Sequence, residues 1–453
     1  MLLKMLLFLL AWAGVFSNAA VISPRCNFVC GPEDGSCLYA CNYNITHAPP
    51  SFFGAPWVRL VQRFNLGELE ETVTGCDSPL RGDKENIYFT TLQGKVYRYK
   101  NTTNSFDTVF NLGRSVDLAI GEGKGLYDVA FHREYEKNFL FYLHYAIPAA
   151  PNDLLTLVDK ATSRSRQKVY QIKIHHYNVI SEFRKIGDSA MFLRQLRKIP
   201  QVSEKRSGGW LASGIREGWK YYTENPLYFA TGGNTNESIV YGRHMSYLSS
   251  LRRFDSNNIT EADQQWASGI GDPISCASTV HKSGKVVCLI QVLNGTRMIY
   301  TIEKDMNIGS DNYVEQCTSA ACANGKKHRP ADRVPMAVFP TSDCNITSIF
   351  IYTGYKMNKF RGNVFLSRDA CYNEKLDVFQ SAQLLRLVKN RTSYGWYASV
   401  LPSDFEDGFL VNTSLVGADK HSDFFFSGYS LRTGKLEFYS IDPVRAANDY
   451  YED

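Results

Sequence analysis

The sequence of 453 residues lacks several features that would place it in common classes of protein. Beyond the N-terminus, no stretch reaches 18 consecutive apolar residues, so no later segment predicts a membrane-spanning helix. There is no long basic run with interleaved aromatic residues of the kind that indicates a nucleic-acid partner. The formal net charge of +5 is a mild excess that permits contact with acidic glycans or cell surfaces. Helical periodicity is nearly absent and is ambiguous only over residues 180–199. Clear internal repeats are lacking too.

The first 19 residues predict a secretory signal peptide. Lys4 precedes an apolar run from Met5 to Phe16, and small residues follow it at Ala19 and Ala20. The run is too short to favour a spanning helix. The last residues, 446–453, form an acidic tail that differs from the apolar tail of a lipid-anchor signal. We therefore expect a secreted, extracellular protein.

Asn-x-Ser/Thr triplets support this expectation, because such triplets are glycosylated in secreted proteins and each used site must lie on the surface. We expect several to carry glycans. The triplets begin at Asn44, Asn101, Asn236, Asn258, Asn294, Asn345, Asn390 and Asn412.

The 11 cysteines fall into two groups. Residues 20–56 form a short cysteine-rich segment with Cys26, Cys30, Cys37 and Cys41, and the other seven lie in the body of the chain. In an oxidising compartment these residues indicate disulfides rather than zinc ligands, so no metal site is predicted. The odd total leaves one thiol free or paired with another chain.

Residues 57–445 show short strand patterns separated by glycine, asparagine and aspartate turns. Residues 86–91 and 94–99 predict a hairpin, and similar patterns recur at 138–145, 286–290, 297–302, 348–353, 362–367, 423–428 and 435–441. Two glycine pairs, at 208–209 and 232–233, bracket another apolar strand, as expected where backbones approach closely. The patterns predict an all-β sandwich, barrel or propeller.

The order of several motifs narrows this choice. Residues 121–132 resemble the Gly-Leu-Leu-x-Leu-Ala-Phe-His signature of the hedgehog-interacting protein family, which shares its propeller with quinone-dependent glucose/sorbosone dehydrogenases. The two glycine pairs are similar to that family's His-x-Gly-Gly and Gly-Asp-Gly block. Further similar segments follow in the family's order at 251–255, 266–276, 351–365 and 434–443. The resemblance implies a six-bladed β-propeller over residues 57–445 and a disulfide between Cys276 and Cys288.

Three departures from the dehydrogenase pattern bear on catalysis. Arg206 stands where the family has a histidine base, and arginine remains protonated. Asp272 lies in the segment where the family supplies a cation for the quinone, and Asn234 replaces a carboxylate. These losses predict a chain that is not an enzyme, with no catalytic residue and no cofactor. The alternative is a pyrroloquinoline-quinone-dependent sugar dehydrogenase with displaced catalytic groups.

The remaining histidines of the strand patterns, His132 and His144, are interpreted as structural. We expect an extracellular protein or a cell-surface glycan as partner, bound by the loop 235–250. This loop carries Arg243, His244, Met245 and Tyr247, a cationic and aromatic set of the kind that interface centres favour.

A hedgehog-type ligand is a further candidate partner, although Glu237 is the only acidic residue of the loop. The third hypothesis is a structural or surface-coat protein.

Overall fold

The structure is a computed structural model. It describes residues 58–66, 72–79, 86–100, 102–103, 105–159, 168–205, 208–213, 224–232, 249–260, 262–278, 286–291, 295–308, 335–339, 344–352, 357, 360–373, 378–389, 396–401, 410–418 and 423–443, together with the backbone of two strands at 25–30 and 37–42.

The described chain consists almost entirely of strands. They are β1 Arg25–Cys30, β2 Cys37–Asn42, β3 Val58–Leu66, β4 Val73–Asp77, β5 Asn86–Thr91, β6 Lys95–Lys100, β7 Ser105–Asn111, β8 Leu126–Phe131, β9 Leu140–Pro148, β10 Leu154–Asp159, β11 Lys168–Lys173, β12 His176–Ile186, β13 Ser189–Gln201, β14 Gly208–Ser213, β15 Pro226–Thr231, β16 Ser250–Asp255, β17 Gln264–Ser268, β18 Asp272–Ser278, β19 Val286–Gln291, β20 Arg297–Ile302, β21 Met306–Asn307, β22 Ala337–Phe339, β23 Ile346–Ile351, β24 Val364–Arg368, β25 Cys371–Asn373, β26 Val378–Gln380, β27 Gln383–Lys389, β28 Trp396–Val400, β29 Leu410–Ala418, β30 Asp423–Ser430 and β31 Lys435–Pro443. The described helices are a 3-10 turn, Leu112–Arg114, and one α-helical turn, Tyr135–Asn138.

Six sheets form the blades of a propeller, which confirms the predicted fold class. From the inner strand outward, blade 1 is β4-β5-β6-β7, blade 2 is β8-β9-β12-β13 and blade 3 is β14-β15-β16-β17 with β21 added at its edge. Blade 4 is β18-β19-β20-β22, blade 5 is β23-β24-β27-β28 and blade 6 is β29-β30-β31-β3.

Blade 6 closes the ring by combining both ends of the propeller sequence. Strand β3 precedes blade 1 in the chain, yet it pairs antiparallel with β31, with Val58 opposite Pro443 and Leu66 opposite Leu436. The last blade therefore takes its outermost strand from the start of the domain. Main-chain hydrogen bonds between β3 and β31 therefore close the ring.

The hydrophobic core lies between blades. Each interface between neighbouring blades holds a buried apolar cluster built from the facing sides of two sheets. At the junction of blades 1 and 6, Phe89 packs edge-on against Phe438 and Phe425, with ring centroids 4.7 and 5.6 Å apart. A blade strand is therefore covered on both faces, which explains why β5 and β8 are apolar or buried at nearly every position.

The ambiguous segment 180–199 belongs to the long hairpin β12–β13 of blade 2. Its alternation is blurred by register shifts after Ile180 and Glu182. Two further hairpins, β10–β11 and β25–β26, are inserted within blades 2 and 5. None of the helices in the described ranges has the length and apolarity required to cross a membrane.

The glycine pair at the start of β14 is required by close packing. Gly208 has φ +84°, and a Cβ there would lie 2.5 Å from the carbonyl oxygen of Ala230. Gly209 has φ +127°, and its Cβ would lie 2.7 Å from Cγ of Tyr127 in the neighbouring blade. Both positions match the expectation that these glycines allow backbones to approach closely.

Candidate functional site

Short polar side chains link the inner strands of successive blades around the axis. Each accepts a hydrogen bond from a backbone N–H of the adjacent inner strand. The inner strands of neighbouring blades do not pair with each other, so these side chains satisfy backbone donors that would otherwise lack an acceptor. The pairs are Asp77 with Phe131 at 3.2 Å, Asp128 with Leu211 at 2.9 Å, Asp272 with Gly208 at 3.1 Å, Ser275 with Ile349 at 3.3 Å and Ser348 with Leu415 at 2.6 Å.

The inner strands enclose a central cavity of about 630 Å³. All six contribute to its wall. This volume is in the range that small-ligand sites occupy. Much of the wall is hydroxyl-bearing, from Thr74, Ser78, Ser213, Ser275, Ser278, Thr347, Ser348, Thr413 and Ser414. Thr74, Ser213 and Thr413 already donate to protein oxygens, so towards a ligand these hydroxyl groups act as hydrogen-bond acceptors. Such a lining suits a ligand that itself carries many hydroxyl donors.

The charged residues of the described cavity wall are Asp77, Asp128 and Arg297. The two carboxylates are already used: Asp77 also accepts from Ser78 N–H at 2.7 Å, and Asp128 from Val129 N–H at 2.9 Å. They act as structural acceptors within the ring of inner strands. Next to them, burial and then the charges of Asp77 and Asp128 raise the pKa of Cys76 well above its usual value. This thiol is therefore held protonated.

Arg297 opens strand β20 and is the cationic side chain of the described wall. Its Nη1 donates to the carbonyl oxygen of Ile346, where the inner strand of blade 5 begins. Burial lowers the pKa of Arg297, and the charge of Asp369 opposes this shift. Because arginine starts from so high a value, the guanidinium is still cationic. The motif comparison missed this residue, since it lies on a third strand rather than in an inner-strand motif.

Asp369 lies behind the cavity wall, just after β24. Its Oδ1 accepts from the backbone N–H of Thr413 at 2.8 Å and from the Thr413 hydroxyl at 2.7 Å. Burial raises the pKa of Asp369, while the two hydrogen bonds from Thr413 work against the rise. The Thr413 hydroxyl also lies 2.8 Å from that of Thr347. A carboxylate is thus connected to the cavity through hydroxyl groups.

The structure places few of the residues that the sequence proposed for the site. Arg206, Ser207, Gly233 and Asn234 lie outside the described residues, and so does the partner loop with Arg243, His244, Met245 and Tyr247. Asp272, the remaining departure, lies at the start of β18, where its Oδ1 accepts a hydrogen bond from the backbone N–H of Gly208. Neither His132 nor His144 is in the described cavity wall.

Both of these histidines are buried in blade 2. His132 Nδ1 accepts from the backbone N–H of Glu134 at 2.9 Å, and burial lowers the pKa of His132. The ring of His144 meets that of Tyr127 edge-on, with centroids 5.4 Å apart. These contacts are those of side chains that pack the blade.

The described cysteines form two disulfides and leave one thiol free. Cys276 and Cys288 face each other across β18 and β19 and form the disulfide that the resemblance implies, with an S–S distance of 2.06 Å. Cys344 and Cys371 form a second one, and Cys76 is free among the described cysteines. In the cysteine-rich segment, the β1–β2 register sets Cys26 opposite Cys41 and Cys30 opposite Cys37.

Three of the eight predicted glycosylation sites lie in the described residues. Asn258, Asn345 and Asn412 are all exposed. Asn412 is also part of the cavity wall and has φ +51°. Asn44, Asn101, Asn236, Asn294 and Asn390 lie outside the described residues.

The described residues do not fit the quinone and metal ion that the fold family implies. A quinone with several carboxylates needs several cations, whereas the described wall offers Arg297 against Asp77 and Asp128. Among the described side chains, no group of three or more His, Cys, Asp or Glu residues could hold a metal ion. The described wall therefore does not match the charge of such a quinone.

Comparisons with solved structures define the class of fold. A glucose-dehydrogenase-type oxidoreductase of Thermus thermophilus has 14% identity and a TM-score of 0.56, over 85% of this chain and 99% of its own. The quinone-bound aldose sugar dehydrogenase of Streptomyces coelicolor has 13% identity and a TM-score of 0.54, over 86% and 99%. The apo aldose sugar dehydrogenase of Escherichia coli has 13% and 0.54, over 85% and 100%. This chain is a propeller of the sugar-dehydrogenase fold. No family model and no curated protein matches the sequence.

These comparisons overturn the prediction that the chain is not an enzyme, because its structural neighbours are sugar dehydrogenases. The prediction was wrong in its reasoning as well. It equated the loss of side chains at three motif positions with the loss of a site. A cavity ringed by six strands can take charged groups from other positions, as Arg297 shows, while Asp369 lies behind the wall and contacts it through Thr413.

Proposed function

We propose that this chain is a secreted oxidoreductase that oxidises a hydroxyl-rich substrate in its central cavity, with catalytic groups displaced from the dehydrogenase motif positions. The observation that carries the proposal is the hydroxyl-lined wall that ends on the Thr413–Asp369 pair. Residues 1–19 would be the signal peptide, 20–56 the cysteine-rich segment, 57–445 the propeller and 446–453 the acidic tail.

The oxidation requires a proton acceptor and an electron acceptor. A substrate hydroxyl beside Thr413 would transfer its proton through the threonine hydroxyl to Asp369, whose raised pKa makes it a better base than an exposed aspartate. The hydride would leave the substrate carbon for a dissociable two-electron acceptor, because the described wall lacks the several cations that the carboxylates of a quinone require. The product is the carbonyl compound.

A dye-reduction assay tests this proposal. The purified protein is mixed with aldoses, sugar acids and a two-electron dye, with and without added quinone and calcium. We expect substrate-dependent dye reduction that falls at least tenfold in Asp369→Asn, which keeps an oxygen for Thr413 but cannot accept the proton. Asp117→Asn, at an exposed position, is the matched control. Absence of substrate-dependent reduction under every condition would refute the proposal.

A second candidate function is recognition of an extracellular protein, a hedgehog-type ligand among them. An exposed apolar cluster on blade 2 favours it: Phe139, Ile186, Met191 and Phe192 are 49, 53, 44 and 47% exposed near the end of the β12–β13 hairpin. Exposed apolar groups gathered in one place are typical of contact sites. The predicted loop 235–250 is a separate candidate, because it follows β15 and Gly232, which approaches Gly208 at the cavity edge.

Two variants separate these surfaces in a binding assay with purified extracellular ligands. Changing Arg243, His244 and Tyr247 together to Ala should weaken binding roughly thirtyfold if the loop is the site. Changing Ile186 and Met191 to Asp should do so if the hairpin is the site. Native affinity in both variants would exclude both surfaces.

A further inference from the structure

Arg297 carries a positive charge at a position where burial removes part of its hydration. It is half-buried in the cavity wall, and burial is the first cause of the lowering of its pKa. Among the described residues, the hydrogen bond of its side chain is the one from Nη1 to the carbonyl oxygen of Ile346, and no carboxylate there forms an ion pair with it. A guanidinium has five N–H donors, so most of its donor capacity remains for the cavity.

Asp369 does not neutralise this charge by contact. Its Oδ1 is occupied by two hydrogen bonds from Thr413, and its influence on Arg297 is electrostatic only. A half-buried cation without a paired anion has lost hydration that no protein group replaces, which is unfavourable. A ligand anion next to Arg297 would relieve this cost and would find a fork-shaped donor that suits a carboxylate.

The remainder of the described wall limits the number of charges on that ligand. Asp77 and Asp128 line the same cavity with carboxylates that accept hydrogen bonds from backbone N–H groups. A second negative charge on a ligand would meet these two, whereas neutral hydroxyl groups would meet the Ser and Thr side chains. The cavity therefore matches one anionic end and a neutral, hydroxylated body.

We propose that the cavity recognises a sugar acid with a single carboxylate, held at Arg297, with its hydroxyl groups on the threonine and serine wall. This inference rests on the proposed function for its site and names the substrate class. The carboxylate would bind the guanidinium N–H groups that face the cavity. Thr347 and Thr413, which also line the cavity, would accept from the nearest hydroxyl groups of the ligand.

Direct binding tests the inference without requiring turnover. Titration calorimetry with glucuronate, glucose and acetate separates the contributions of the carboxylate and the hydroxyl groups. We expect the protein to bind glucuronate at least tenfold more tightly than either glucose or acetate. Arg297→Met should abolish the preference over glucose, Arg297→Lys should retain part of it, and Arg114→Met, at an exposed position, should leave it unchanged. Thermal unfolding of each variant verifies that it is folded.

Three outcomes would overturn the inference: equal affinity for glucuronate and glucose, no binding of glucuronate, or an unchanged preference in a folded Arg297→Met variant. Pyrroloquinoline quinone provides a further arm, because its carboxylates share the same chemistry. Tighter binding of the quinone than of glucuronate, lost in Arg297→Met, would assign Arg297 to a cofactor and overturn the sugar-acid assignment.

The two proposals fail separately. Binding of glucuronate without dye reduction would remove the oxidoreductase and leave the sugar-acid site. Dye reduction with neutral aldoses, without any preference for sugar acids, would support the oxidoreductase and exclude the sugar-acid site.

Discussion

Replacing Gly208 by alanine tests whether the glycine pair at the start of β14 is needed for conformation or for space. Gly208 and Gly362 have nearly the same backbone angle, with φ +84° and φ +80°. A Cβ at position 362 would meet nothing within 4 Å. At position 208 it would lie 2.5 Å from the carbonyl oxygen of Ala230 and 2.8 Å from Cα of Thr231.

The expected magnitudes follow from this difference. An L-residue in a left-handed conformation costs about 1–2 kcal/mol, and both variants bear that cost. Only Gly208→Ala adds a clash with backbone atoms, which cannot rotate away as a side chain would, and such overpacking costs about 1–3 kcal/mol more. We therefore expect a free energy of unfolding lowered by roughly 1 kcal/mol in Gly362→Ala and by roughly 3 kcal/mol in Gly208→Ala.

Equilibrium urea unfolding of the two variants and the parent provides the comparison, with equal m-values as the condition for converting midpoints into free energies. A loss in Gly208→Ala no greater than that in Gly362→Ala would show that β14 can move away from β15. The close approach would then not be what glycine supplies at this position.

Two further predictions concern stability. Replacing both Cys276 and Cys288 by serine should cost roughly 3 kcal/mol, the entropy of opening a loop of this length, and unreduced peptide mapping that found either thiol free in the parent would contradict the disulfide. His176 is fully buried, and burial, followed by the charge of Lys124, lowers its pKa to about 4 from 6.5. Its neutral form stabilises the fold above about pH 6.5, and this stability should fall by up to roughly 3 kcal/mol as the pH drops towards 4. Thermal melts of His176→Gln between pH 7.5 and 4.5 should show a smaller decrease than the parent, and equal decreases would contradict this assignment.

The fold could be predicted because the strands and their turns are local properties of the sequence. The count of blades could not be read from the same patterns. Strands such as β5 are covered on both faces, with Tyr88 turned towards blade 2 and Phe89 towards blade 6, so the hydrophobic pattern carries no mark of where one blade ends. The ordered family motifs supplied that count instead.

The site was less predictable, for a physical reason. Arg297, Asp369 and Thr413 come from three segments of blades 4, 5 and 6, and none stands in a motif that identifies its role. Their proximity is produced by the closed ring. Motif positions such as Arg206 identify the residues that a related site uses. They do not identify the residues that other strands contribute to the central cavity.

The pairing of β3 with β31 has a consequence for synthesis. Val58 emerges from the ribosome early, and its partner Pro443 follows almost 400 residues later. At a synthesis rate of about 5–20 residues per second, β3 remains without its partner strand for on the order of 20–80 s. Because unpaired strand edges favour aggregation, that interval is when this chain most needs a chaperone. Substitutions that weaken β3 should lower the yield of folded protein more than they lower the stability of the molecules that finish folding.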